Sequence, residues 1–337
     1  MLRTLAIIVS ERSKTSTCII HLSHIWDYNE STNYYSFRWL TPTDAKVYNS
    51  ASAKNLNAPF YLSSAMTNLI AKDIDNFYSG TSEEGRLQLG LGPLEFERNK
   101  DLIGRYLTKK NVVIDVGGGP GVYSEWLANL GHEVHLIEPV EKHIKQAQKR
   151  SAKAKKPFKV ILGEAQKLDL PDNFADVVIM HGPLYHLQQK PERIKAITEA
   201  KRVLKPGGIA LGFAINHSAS TIAALLNGFI HTPEIFEMCK EELIYGTHTP
   251  PANMLGVLPS AYFHRPDELR SEFEEAGLSC LDTLAVEGLI WMDKNYFESR
   301  YNTTKKARMM ELMQITENDR SLLSLSPHMM IAAKKED

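Results

Sequence analysis

Cysteine is scarce in this chain. Cys18, Cys239 and Cys280 are three in 337 residues, odd in number and far apart. That spacing builds neither a disulfide framework nor a metal site, and it suits a reducing, cytoplasmic setting. Long apolar runs are absent as well: none approaches the roughly 18 residues of a membrane-spanning helix. No charge sign dominates. With a formal net charge of −1, bulk electrostatics give no reason to expect nucleic acid or an anionic membrane as partner. A hydrophobic fraction of 43% and a charged fraction of 23% describe an ordinary globular chain, with length for one large or two modest domains.

The first 65 residues lack a sustained hydrophobic period. The apolar run over 5–9 is broken by Ser10-Glu-Arg-Ser-Lys14 before a signal-peptide core is reached. A mitochondrial presequence would use Arg3, Arg12 and Lys14, but Glu11 intrudes. One strand is expected over 18–22; otherwise residues 1–65 are expected to be a weakly structured N-terminal extension. The folded domain, 66–337, is expected to begin at Met66.

What is present is concentrated in Val112-Val-Ile-Asp-Val-Gly-Gly-Gly-Pro-Gly121. Three β-branched residues and an acid run into four glycines within five positions, the pattern of a buried strand entering a tight turn. Val122-Tyr-Ser-Glu-Trp-Leu-Ala-Asn-Leu130 follows at helical spacing and stops at Gly131, a C-cap residue. Strand, glycine turn and helix open a nucleotide-binding α/β sheet. A second strand over 133–137 ends at Glu138, where a carboxylate accepts two hydrogen bonds from a ribose diol. A dinucleotide fingerprint needs a third glycine, and the two positions where it would fall hold Val122 and Ser124.

Asp115-Val-Gly117-Gly-Gly119-Pro-Gly121 instead resembles motif I of the class I S-adenosylmethionine-dependent methyltransferases. The resemblance extends over roughly residues 76–334. It implies an α/β, Rossmann-like sheet of seven strands, and S-adenosylmethionine held by Asp115, Gly117, Gly119, Gly121 and Glu138. Where the family often carries Gly-Asp-Ala, with the acid on the adenine amino group, this chain has Gly163-Glu164-Ala165. Glu164, longer by one methylene, and Ala165 are the expected counterparts. The segment before the first strand often folds over the cofactor in such proteins, which makes Tyr78 and Arg86 candidates for its methionine part, Arg86 for the carboxylate. Backbone carbonyls at His181 and Gly182 are candidates for the ammonium group.

The remaining core follows in order. A basic stretch over 142–159 holds eight Lys or Arg and no acid; without interleaved aromatics it reads as a solvated helix face. Further strands are expected over 158–162, 176–180, 209–213, 280–286 and 328–333, the last antiparallel. Helices are expected over 94–107, 193–204 and 266–277. Arg202-Val-Leu-Lys-Pro-Gly-Gly208 resembles the family's turn before strand five. Two stretches, about 217–263 and 288–323, exceed what the core needs and are expected to be helical lid insertions. Their Trp291, Tyr296, Phe297, Tyr301 and methionines are either core or the walls of a water-poor pocket.

The chain lacks an Asn-Pro-Pro-Tyr signature after strand four, a Pro-Cys pair and a recognisable carboxylate cluster, so the nucleic-acid and metal-dependent branches of the family are not expected. A small-molecule acceptor remains, with direct SN2 transfer to an O or N atom. His186 and Tyr185 are the expected catalytic groups, with His181 third; no metal is expected. Two alternatives stay open: a non-catalytic, cofactor-binding methyltransferase-like subunit, and an NAD(P)-dependent oxidoreductase. Tyr301-Asn-Thr-Thr-Lys305 matches the Tyr-x-x-x-Lys of short-chain dehydrogenases only by chance, because it falls after strand six. The oligomeric state is open.

Overall fold

A computed structural model describes residues 70–80, 83–252, 254 and 257–337, with two strands nearer the N-terminus. The chain divides into two compact units, residues 1–66 with 252–255, and 67–251 with 256–337. In the first, Ile25–Asn29 and Tyr34–Arg38 pair antiparallel with Ile25 opposite Arg38. The aromatic residues there favour strands without giving a clean alternation. The strand expected over 18–22 and the start at Met66 lie outside the described residues.

The second unit is built on one seven-stranded sheet. Its strands are β1 (Val112–Val116), β2 (Glu133–Glu138), β3 (Lys159–Leu162), β4 (Ala175–Met180), β5 (Leu204–Ile215), β6 (Ser279–Ala285) and β7 (His328–Lys334). They lie side by side as β6-β7-β5-β4-β1-β2-β3. The five from β5 to β3 are parallel, and β7 runs antiparallel to both β5 and β6. The seven strands and the antiparallel seventh agree with the sequence expectation, although β5 begins at Leu204 and absorbs the Lys-Pro-Gly-Gly turn.

Each strand shows two faces. Ile114, Val116, Val178 and Met180 point into a core with Ala196, Ile197, Leu269 and Phe273. Val113, Val177, Ile179 and Leu211 point to the other side, against Leu102, Ile103 and Leu127. Period-two alternation across a sheet buried on both faces gives a three-layer α/β/α arrangement. The helices are α1 (Lys72–Gly80), α2 (Gly92–Gly104), α3 (Val122–Asn129), α4 (Glu141–Ser151), α5 (Pro183–His186) and α6 (Lys190–Val203), then α7 (Ala219–Asn227), α8 (Pro233–Tyr245), α9 (Pro266–Glu275), α10 (Tyr296–Ser299) and α11 (Thr303–Thr316). Five of them, α2, α5, α6, α8 and α9, carry Pro in the first turn, where its missing N–H costs nothing.

Two buried arginines tie the layers together. Arg193 on α6 donates to Glu272 on α9 (2.6 Å) and to the carbonyls of Leu187 and Gln188, with Tyr262 stacked on its guanidinium. Arg98 on α2 donates to Val286 O, just past β6, and to Glu317 (2.7 Å). A buried charge is tolerable only when its donors are all matched, as they are here.

The two insertions are helical as expected, but their aromatics do something different. The first contains α7, α8 and a two-residue strand pair, Thr247–His248 with Ala261–Tyr262. The second contains α10 and α11, whose Tyr296 and Met313 are buried with Leu94 and Ile290 in a separate cluster beside α2. Trp291 donates its indole N–H to Leu325 O. Phe297 and Tyr301 are exposed. None of these side chains lines the main cavity, so the core alternative holds for Tyr296 and Met313, and exposed Tyr301 belongs to no catalytic pair.

Candidate active site

A cavity of about 630 Å³ opens at the carboxyl ends of β1, β2, β4 and β5. That is where parallel α/β sheets place their ligands, because the strand order reverses there. Its floor is the turn after β1. Gly117 (φ +74°), Gly119 (φ +55°) and Gly121 (φ +82°) all occupy the left-handed region that other residues enter only with strain. At Gly117 a Cβ would come within 2.9 Å of Pro183 Cδ, so the loop after β4 can close on it only because the side chain is missing. Gly121 faces away from the cavity, where a Cβ would meet Phe158 at 3.0 Å. Asp115 is likewise behind the loop: it is fully buried and accepts from Ser124 Oγ at 2.7 Å, pinning the start of α3. Both support the turn, and neither is on the cavity wall.

Glu138 stands at the end of β2 as expected, buried and on the wall. One oxygen accepts from Gly119 N (3.0 Å), the other from Val140 N (3.1 Å), with His143 Nδ1 also at 3.1 Å. Backbone N–H donors on both oxygens lock the carboxylate against the glycine turn. Glu164 and Ala165 line the same end with Ile137 and Gly163.

The segment before β1 does reach the cavity. Tyr78 on α1 lines it, and its hydroxyl lies 2.7 Å from His186 Nε2. Arg86 also lines it, but Glu95 takes up its fork (Nη1 2.6 Å, Nη2 2.9 Å) and Glu83 its Nε (2.5 Å). Those contacts engage three of its five N–H groups.

The three residues after β4 differ in setting. His181 is sandwiched between Tyr123 (centroids 4.3 Å) and Phe213 (4.2 Å), nearly parallel to both. Its ring nitrogens have no hydrogen-bond partner, and its N–H donates to Val116 O. Tyr185 is a wall residue whose hydroxyl burial pushes well up, so it stays protonated. His186 is pushed down by burial to about 3, which keeps it neutral; its Nε2 faces Tyr78 and its Nδ1 is buried without partner.

Sequence reasoning missed the other polar corner. His328, the first residue of β7, lines the cavity. Its Nδ1 lies 2.6 Å from Oε1 of buried Glu287, whose other oxygen accepts from His328 N. Burial works against a charge on this imidazole, yet Glu287, with help from Glu95, holds it up at about 9. Glu95, Glu287 and His328 each place one atom within 4.8 Å of the others. They are some 190 and 40 residues apart; pairing of β7 with β6 brings His328 to Glu287, and the packing of α2 adds Glu95.

Residues 114–212 match the model of a family described as "Methyltransferase domain". A 113-residue stretch is 34% identical to an uncharacterized methyltransferase of Schizosaccharomyces pombe, covering 31% of this chain and 40% of that one. A 174-residue stretch is 28% identical to a ubiquinone biosynthesis O-methyltransferase of Methylobacterium nodulans, covering 52% and 62%. The chain therefore spans less than two thirds of either relative. A solved structure, from the complex between the Haloferax volcanii Trm112 methyltransferase activator and a methyltransferase, shares the fold with a TM-score of 0.50 at 15% identity, over 80% of this chain and 100% of that one. Residues 114–212 thus match a methyltransferase-domain family within a Rossmann-like α/β sheet.

Proposed function

We propose that this protein uses S-adenosylmethionine to transfer a methyl group to an O or N atom of a small molecule. The observation that carries the proposal is the single cavity that runs from Glu138 and the glycine turn to the ends of β4 and β5. The residues fit the cofactor: Gly117 and Gly119 leave the floor open to close approach, Glu138 offers a buried carboxylate for a ribose diol, and Ile137, Glu164 and Ala165 form the wall for an adenine. Tyr78 and the loop at His181 and Gly182 border the space left for the methionine part. Bound cofactor supplies an electrophilic methyl on a sulfonium. The chain's own part is to orient the acceptor and exclude water, since charge is consumed rather than created in the transfer.

The small-molecule acceptor is supported by the concave, partly open shape of the cavity and by the likeness to a ubiquinone biosynthesis O-methyltransferase. The basic stretch after Glu138 gives no counter-argument. Arg150 pairs with Glu84 and Glu125, Lys145 with Glu141 and Lys159 with Glu133, so part of its charge is matched within the chain. No described helix is long and apolar enough to cross a membrane. Cys239 and Cys280 are free thiols, in keeping with a cytoplasmic setting. The domain is proposed to run from 66 to 337 with its two lid insertions.

Thermal unfolding with candidate ligands tests the proposal. S-adenosylmethionine and S-adenosylhomocysteine should each stabilise the protein, by about 2.7 kcal/mol at 100-fold over the dissociation constant, while NAD and NADP should not. Stabilisation by NAD alone would overturn it in favour of an oxidoreductase. Binding without turnover on any metabolite extract would favour a non-catalytic subunit.

A further inference from the structure

The scheme above leaves the polar corner at β7 without a task, and the following rests on that scheme. We propose that the methyl acceptor is a carboxylic acid, and that His328 anchors its carboxylate through the Nε2–H that faces the cavity.

Position comes first. His328 lies opposite Ile215 in the β7–β5 register, and Phe213, Ala214 and Ile215 line the cavity beside it. Glu138 and Glu164 follow β2 and β3, which lie beyond β4 and β1 in the sheet. The corner at β7 is thus removed from the wall proposed for ribose and adenine. The His328 side chain is 32% exposed, and Nε2 has no partner among the described residues.

The free groups at this corner are donors. Burial disfavours a charge on the His328 ring, but Glu287 and Glu95 outweigh it against the opposition of Arg86, and the ring keeps its proton up to about 9. As an imidazolium it has two N–H groups. Nδ1–H goes to Glu287 Oε1 (2.6 Å), which leaves Nε2–H for the cavity. Tyr123 shares the same three charged neighbours, Glu95, Arg86 and Glu287, so it belongs to this corner. Burial keeps its hydroxyl protonated, and the oxygen accepts from Asn99 Nδ2 (2.9 Å), so its own hydrogen is free. With the amide turned, Tyr123 would give to Asn99 Oδ1 and Nδ2 would be the spare donor. One hydrogen remains either way. Arg86 adds the two N–H groups that Glu83 and Glu95 leave.

The acceptors are already engaged. Each oxygen of Glu95 meets one Nη of Arg86, and Glu287 takes both Nδ1 and the backbone N of His328. His181, stacked on Tyr123, has both ring nitrogens buried. Donors facing inward from two matched ion pairs suit an anion rather than an ammonium group. A carboxylate brings one charge and two oxygens in a plane, matched to two donors at once. A phosphate dianion would set twice that charge beside Glu83, Glu95 and Glu287. Phe213, Ala214 and Ile215 offer apolar surface to the carbon skeleton behind the carboxylate.

The test is calorimetric titration of benzoate, with benzamide as its neutral counterpart, into protein saturated with S-adenosylhomocysteine. Benzoate should bind, and benzamide at least about tenfold more weakly. Benzoate stays ionised from pH 6 to 10. Its affinity should be level to pH 8 and about tenfold lower at pH 10, as the imidazolium is lost above about 9. His328→Gln should weaken benzoate about tenfold at pH 7 and remove the fall at pH 10. Glu287→Gln should move the fall to lower pH, and both variants should keep their affinity for S-adenosylhomocysteine. Equal binding of benzamide, a level profile to pH 10, full affinity in His328→Gln, or no benzoate binding overturns the proposal. So does inorganic phosphate binding more tightly than benzoate. If His328→Gln fails to fold, the wild-type profile and Glu287→Gln still decide. Failure of S-adenosylhomocysteine to bind sinks the methyl-transfer scheme, while benzoate titration of the free protein still reads His328.

Discussion

Glu138 illustrates how one side chain can be fixed by a loop and still face a cavity. Its oxygens already accept from Gly119 N and Val140 N, so its geometry is set before any ribose arrives. Glu138→Ala should weaken S-adenosylhomocysteine binding by about 1.5–3 kcal/mol, the worth of hydrogen bonds to a charged group, with circular dichroism unchanged. Equal affinity in calorimetry would remove Glu138 from the site. The histidines give a second test at this scale. His186 and His264 are lowered chiefly by burial, His186 to about 3, so the unfolded chain binds protons below 6.5 that the native state refuses. Stability should fall as pH drops from 6.5, by up to about 1.4 kcal/mol per unit for each such histidine. His328 acts in the opposite sense. Held at about 9, it contributes fully below 6.5 and loses that contribution as pH rises through about 9. Urea midpoints at pH 5, 7 and 9.5 should therefore peak in the middle, and His186→Gln should flatten the acid side only.

Among the elements, the turn between β1 and α3 is the most constrained. Gly121 combines φ +82° with a neighbour at 3.0 Å, whereas Gly90 has φ +53° and nothing within 4 Å. Alanine at either position carries left-handed strain of about 1–2 kcal/mol. Only Gly121→Ala adds overpacking, so it should be less stable than Gly90→Ala by about 1–3 kcal/mol in urea unfolding. Equal losses would mean that Phe158 and Ala147 give way freely. β7 shows the complementary case: its local sequence announces a strand, but its partner β5 lies more than a hundred residues earlier. The chemistry of His328 comes from that pairing.

For the molecule as a whole, the seven strands of the large sheet and the cavity-lining residues among those described come after residue 69. Removal of residues 1–60 should leave S-adenosylhomocysteine binding and the unfolding midpoint of the remaining chain unchanged. A product that is insoluble, or unfolded by circular dichroism, would show that the extension is structural.

The sequence by itself determined whatever depends on neighbours in the chain. The strand-to-glycine junction at 112–121, the acid closing β2, the Pro and Gly that bound α9, and the seven-strand plan were all legible, because strand propensity, turn conformation and capping act within a few residues. Only the tertiary structure decided which polar groups meet. Arg86 finds Glu95, Asp115 turns behind its loop to Ser124, His186 is closed off by Tyr78, and His328 is brought against Glu287. Each of these depends on burial and on through-space electrostatics between distant segments, and those are set by how the layers pack.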